Sequence, residues 1–220
     1  MIIEYRDQKL DLQPTKIIAV ARNYRAHAEE MKSDVPAEPT FFLKPPSSLL
    51  AHGGAVVLPA VSSQVEHEVE LAVIVGARIK GFAPEAVKSA ILGYTVLVDV
   101  TARDIQSTAK NRGMPWTIAK GYDTFAPIGP RIATPEALDP SNLDIWLAVN
   151  GDMKQQGNTD QMVFNVEELV SYVSHIMTLE PMDVVATGTP SGVGPLHDGD
   201  TVEAGIDQIG ILRFNTVRER

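Results

Sequence analysis

Residues 66–75, EHEVELAVIV, limit what this chain can become more than any other stretch. Read as a strand with period-two alternation, they put Glu66, Glu68, Glu70, Ala72 and Ile74 on one face. His67, Val69, Leu71, Val73 and Val75 fall on the other. The first face begins as carboxylates and ends as hydrocarbon. If Ala72 and Ile74 are buried, Glu68 and Glu70 stand at the threshold of a core, where an unpaired ionised carboxylate costs several kcal/mol or takes up a proton. A solvated strand end has the same local pattern, so the remainder of the chain must decide between the two.

The other apolar runs are short and bounded by turn residues. TKIIAVA (15–21), TVLVDV (95–100), DVVATG (183–188), TVEAGI (201–206) and GILRFNTV (210–217) read as strands, and PTFFLKPP as a strand stopped by Pro45 and Pro46. Asn150-Gly151 predicts a hairpin whose polar second arm lies at a sheet edge. Helices are few. One is expected from about Tyr24 with Asn23 as its cap, and another begins near Pro84 and ends at Gly93. A third follows Asn165, with Glu168 in capping-box spacing and Leu169, Val170, Val173, Ile176 and Met177 as its apolar stripe. The class that follows is a β-rich α+β fold with peripheral helices. At 220 residues the chain fits one catalytic domain, 16–220, preceded by an arm or strand at 1–15.

A formal net charge of -9 argues against coating nucleic acid or an anionic membrane, while leaving room for a local basic pocket for a small acid. With no cysteine, disulfides, zinc–thiolate sites and thiol nucleophiles are excluded. MIIEYRDQK has no long apolar core and no run of about 18 apolar residues occurs, which predicts a cytoplasmic protein.

Asp99 closes the strand TVLVDV on the face of Thr95 and Leu97, a further carboxylate where an apolar strand stops. Glu68, Glu70 and Asp99 are hard oxygen donors suited to Mg²⁺ or Mn²⁺, although spacing alone does not bring Asp99 to the glutamates, and an aspartate that starts a turn looks the same. His27 and Glu30 are three apart on the first helix, so the carboxylate can orient the imidazole; an ordinary surface pair has the same spacing. Arg103 and Gln106 in TARDIQ and Lys120 in PWTIAKGYD offer donors to a carboxylate and an enolate oxygen, or simply balance local acids. TGTPSGVGP (187–195) lacks the lysine of a phosphate-binding loop and the G-x-S-x-G frame that would make Ser191 a nucleophile, but its amides could hold an oxyanion.

Taken in order, RNYRAHAEEM, EPTFFLKP, HEVELAVIVG, DVTARDIQ, MPWTIAKGYD, VNGDMKQQGNT and TGTPSGVGP resemble the fumarylacetoacetate hydrolase family, most closely its short acylpyruvase-like and oxaloacetate decarboxylase-like members. The resemblance implies a mixed β-sandwich roll, a homodimer, and a Mg²⁺ or Mn²⁺ site at one mouth of the roll. It places the metal carboxylates at Glu68, Glu70 and Asp99, the catalytic dyad at His27 and Glu30, and substrate contacts at Arg103, Gln106, Lys120 and Thr189. Glu66 stands where close relatives often have a histidine. The metal would then neutralise the carboxylates of the opening strand.

The activity implied is metal-dependent hydrolysis of a C–C bond in acylpyruvate-type 2,4-dioxo acids, with oxaloacetate decarboxylation as a further reaction. His27 would activate water and Lys120 would support the enolate. Two alternatives use the same residues: an isomerase, tautomerase or decarboxylase of an unsaturated 2-hydroxy or 2-oxo dioate, and a non-catalytic binder of metal and oxo acid. Choice among substrates would fall to the pocket wall distal to the metal, formed from a lid after Met31 and from a partner chain.

Overall fold

Both faces of the carboxylate-tipped strand are covered, which explains why its sequence turns apolar on both sides after Glu70. In the computed structural model, which describes residues 1–30 and 34–220, Val69–Val75 is the fourth strand of a five-stranded mixed sheet. The order is Thr40–Lys44, Ile17–Ala21, Val184–Ala186, Val69–Val75, Ile91–Val98. Ile17–Ala21 and Val184–Ala186 run parallel; the remaining neighbours are antiparallel. A second five-stranded sheet runs Asp152–Asn158, Asp144–Val149, Thr201–Ile206, Gly210–Arg218, Ala55–Leu58.

The main core joins Leu71, Val73 and Val75 of the first sheet to Leu147, Val202, Leu212 and Phe214 of the second. On the opposite face, Ala72 and Ile74 pack with Ile17, Leu97, Ile3, Leu12 and Ile128. Each buried Val, Leu or Ile contributes about 1.5–3 kcal/mol by leaving water, so a register slip of one residue would expose one of these faces. The arm at 1–15 holds the hairpin Ile2–Tyr5 and Gln8–Asp11, whose first strand pairs parallel with Arg131–Ile132.

The hairpin at Asn150-Gly151 forms with both residues at positive φ (53° and 83°), and Asp152–Asn158 is an edge strand. Helix Val166–Ile176 carries the reciprocal capping box of Asn165 and Glu168. Its buried stripe ends at Val173, however: Met177 is already extended and half-buried, and Ile176 is 52% exposed, because the last turn runs past the core.

Two helix expectations need correction. The segment after Pro84 is one turn of α-helix, Pro84–Val87, followed by a 3₁₀ turn, Lys88–Ala90, and Gly93 lies inside strand Ile91–Val98. Gly93 is a glycine because a Cβ there would come 2.2 Å from the Ala133 carbonyl oxygen. The helix after residue 23 is Arg25–Glu30, but the Asn23 side chain donates to the Phe164 and Thr187 carbonyls and accepts from the Phe164 N–H. It ties two distant loops together where a helix cap was expected.

Candidate active site

The mouth of the roll is assembled by a three-stranded sheet, Thr101–Ala102, Val65–His67 and Gly194–Pro195. Thr101 pairs with Glu66 and Gly194 with His67, so the TARDIQ helix and the glycine-rich loop flank the carboxylate strand. Register does the rest. Val69 faces Val98, and the Asp99 N–H donates to the Glu68 carbonyl at 2.7 Å. Glu68, Glu70 and Asp99 thereby present oxygens all within 4.8 Å of one another, and all three residues are buried.

Cations meet them. Lys120, ending the short helix Thr117–Lys120, places Nζ 2.7 Å from Glu68 and 2.6 Å from Asp99. Arg103 opens helix Arg103–Asn111; its Nε donates to Glu66 at 2.6 Å, one terminal nitrogen to Gln106 at 2.6 Å, and the other to Glu68. Lys44, fully buried at the end of its strand, donates to Asp99 at 2.6 Å and to the Val100 carbonyl at 3.2 Å. Burial pushes the Glu68 carboxyl up, but Lys120 and Arg103 outweigh it and hold the group well below the usual carboxylate range. Glu70 goes the other way: burial, then the charges of Asp99 and Glu68, push its carboxyl well above that range.

Glu70 is the member of the set without a cation of its own among the described residues. Among the described residues its carboxylate accepts one hydrogen bond, from the Gly188 N–H at 2.8 Å. A buried carboxylate of this kind, beside two more hard oxygen donors, fits a divalent ion such as Mg²⁺ or Mn²⁺. Glu66 takes no part in the cluster, because Arg103 and Gln64 occupy it.

The other residues singled out in the sequence converge on the same cavity of about 300 Å³, which Glu68, Glu70, Arg103, Gln106, Lys120, His27 and Thr189 all line. His27 Nδ1 lies 3.3 Å from Glu30, and Glu30 also accepts the Gly192 N–H at 3.1 Å. The glycine-rich loop thus fixes the carboxylate that orients the histidine. Thr189 accepts from Gln155 at 2.7 Å, and the Gln155 carbonyl in turn accepts the Val69 N–H at 3.1 Å and pairs with His67 Nδ1 at 2.9 Å. Met31, where the sequence places the start of a lid, lies outside the described residues.

Lys44, Gln155 and Tyr24 escaped the sequence reading. Tyr24 is buried with a hydroxyl that has no partner among the described residues, and its phenol is pushed far up by burial and then by the Glu70 charge. Its place in RNYR beside the dyad was the one available signal. Gln155 lies in the polar arm that the sequence places at a sheet edge, yet it is buried.

Residues 16–218 match the family model described as fumarylacetoacetate (FAA) hydrolase C-terminal. The chain belongs to the fumarylacetoacetate hydrolase family. Within that family it is 47% identical over 192 residues to the mitochondrial oxaloacetate decarboxylase of Dictyostelium discoideum, covering 87% of this chain and 88% of that one. It is 45% identical over 211 residues to the mitochondrial oxaloacetate tautomerase FAHD1 of Arabidopsis thaliana, covering 96% and 95%. Among solved structures, a fumarylpyruvate hydrolase from Pseudomonas aeruginosa in complex with Mn²⁺ and pyruvate superposes with a TM-score of 0.92 at 34% identity, covering 100% of this chain and 96% of that one. The β-rich architecture is that of the family. No helix among the described residues is long and apolar enough to cross a membrane.

Proposed function

We propose that this family member is a divalent-metal-dependent enzyme of small 2-oxo acids, with oxaloacetate as its first candidate substrate and proton transfer at the carbon beside the keto group as its basic step. The observation that carries this reading is the cluster of Glu68, Glu70 and Asp99 with Lys120, whose glutamates and lysine line one cavity with His27, itself paired with Glu30. The identity of 45–47% to proteins named for oxaloacetate, against 34% to the hydrolase, favours oxaloacetate over an acylpyruvate.

Glu68, Glu70 and Asp99 would hold Mg²⁺ or Mn²⁺, which when bound supplies Lewis-acid polarisation of the carboxylate and keto oxygens of the substrate. Lys120 keeps a positive charge beside the keto oxygen, where negative charge grows as the neighbouring carbon loses its proton. Burial lowers the proton affinity of Lys120, but Asp99 and Glu68 outweigh it and keep the ammonium charged. Gln106, held by Arg103, adds an amide donor to the same wall. With its Nδ1 proton donated to Glu30, His27 is left with Nε2 as the base that takes the carbon proton and returns it. Thr189, held by Gln155, positions the far side of the acid.

C–C hydrolysis of an acylpyruvate is the second reading, favoured by the same dyad, since Nε2 of His27 could equally take a proton from water. Homodimeric assembly, which the family resemblance implies, and a cytoplasmic location, which the apolar pattern of the sequence predicts, belong to this proposal.

Proton NMR of the Mg²⁺-loaded protein with oxaloacetate and acetylpyruvate in D₂O separates the readings. Enolisation predicts exchange of the oxaloacetate C3 protons above the rate set by free metal, reduced about 10²- to 10⁴-fold by His27→Ala. Undiminished exchange in that variant would remove His27 from its role. Acetate released from acetylpyruvate would promote the hydrolase.

A further inference from the structure

We infer that Arg22 and Lys110 form a second anion subsite in the active-site cavity, one that receives a carboxylate at the end of the substrate distal from Glu68, Glu70 and Asp99. The inference rests on the 2-oxo-acid reading and narrows it from oxo acids in general to oxo dicarboxylates.

Among the described residues, four cationic side chains of Arg and Lys line the cavity: Arg22, Arg103, Lys110 and Lys120. Two are spoken for. Arg103 is bonded to Glu66 and Glu68, and Lys120 to Glu68 and Asp99. Arg22 and Lys110 have no carboxylate partner among the described residues. The Arg22 Nε is buried and makes no hydrogen bond among the described residues, a cost the fold sustains where a ligand can satisfy it.

The backbone supports the same reading. Val20, Ala21 and Arg22 line the cavity where strand Ile17–Ala21 ends. Arg22, the first residue past that strand, holds φ of +59°, a left-handed conformation that L residues other than glycine rarely hold. Lys110, in the last turn of Arg103–Asn111, carries its ammonium 4.9 Å from the centre of the Trp116 ring. Trp116 packs on Phe42, 5.6 Å away, and both rings line the cavity beside this cation. Two cations without a carboxylate partner among the described residues, on a cavity of about 300 Å³ that Glu68 and Glu70 also line, suit a short dianion with one end at the carboxylate cluster and the other at Arg22 and Lys110.

The test compares L-malate with L-lactate, two unreactive acids that share a 2-hydroxycarboxylate and differ in the distal carboxylate. Calorimetry on the Mg²⁺-loaded protein should show malate bound at least about tenfold more tightly than lactate. Arg22→Gln should erase most of that ratio while leaving lactate within about twofold, Arg22→Lys should restore part of it, and Lys110→Gln should lower it about threefold. Lys110 is exposed, so its variant reports even if Arg22→Gln fails to fold. A malate-to-lactate ratio unchanged in Lys110→Gln and in either Arg22 variant would overturn the subsite while leaving the 2-oxo-acid reading intact. Failure of the wild-type protein to bind either acid would count against that reading, and the subsite would fall with it.

Discussion

At the scale of single residues, the ionisable groups divide into those that serve the cavity and those that hold the fold, and Asp183 is the clearest of the second kind. Its fully buried carboxylate accepts from Thr15 N and Oγ1, the Lys16 N–H, the Lys16 ammonium and the Glu180 N–H, tying residues 15 and 16 to the loop before Val184–Ala186. Burial pushes this group up, but the bonds from Lys16, Glu180 and Thr15 outweigh it and hold it below the usual aspartate value. A folded-state value depressed in this way contributes stability that is complete above the unfolded value near ~4 and is lost as pH falls through the folded one. Asp183→Asn should therefore cost about 3 kcal/mol in urea unfolding at neutral pH, with the gap to wild type closing below about pH 4. A gap that stays constant down to acid pH would contradict this role. Glu68, Glu70 and Asp99 each stood out as carboxylates at the tips of apolar strands, but only the family resemblance grouped Asp99 with the glutamates. Lys44 did not stand out: before two prolines it looks like any strand-end lysine, and only the tertiary approach of Asp99 reveals the ion pair.

Among the elements, those with local causes were readable. The Asn150-Gly151 hairpin and the capped helix Val166–Ile176 follow from turn chemistry and capping that need no distant partner. The helix expected up to Gly93 failed because the constraint on that glycine is the Ala133 carbonyl, forty residues away in sequence. The loop TGTPSGVGP, open in the sequence to several uses, gains one from tertiary structure. Gly192 sits at φ of +94°, and a Cβ there would come 2.1 Å from the Lys154 carbonyl oxygen, so the loop can deliver its N–H to Glu30 only with glycine at that place. Gly192→Ala should displace the loop and loosen the orientation of His27, lowering kcat for oxaloacetate about tenfold or more with Mg²⁺ affinity little changed. Equal losses of kcat and of Mg²⁺ affinity would point to general disruption of the site instead.

For the whole molecule, the order of motifs was enough to indicate the family, and several of them supply the residues that the fold brings together around Glu68 and Glu70. What the order could not supply was how charge is balanced there. The sequence suggested a metal ion as the neutralising partner, whereas Lys44, Lys120 and Arg103 already pair with Asp99, Glu68 and Glu66, and Glu70 is left as the carboxylate without a cation among the described residues. That balance makes the central claim directly testable: divalent metal should be needed for chemistry while the fold stands without it. The decisive measurement is the keto–enol interconversion of oxaloacetate by metal-stripped protein, followed by ultraviolet absorbance as Mg²⁺ is added. The account predicts a folded, inactive protein whose rate rises to saturation with one ion per chain, above the rate of free Mg²⁺, and fails to rise with Glu70→Gln. A rate that does not respond to Mg²⁺, or that responds equally in Glu70→Gln, would contradict it.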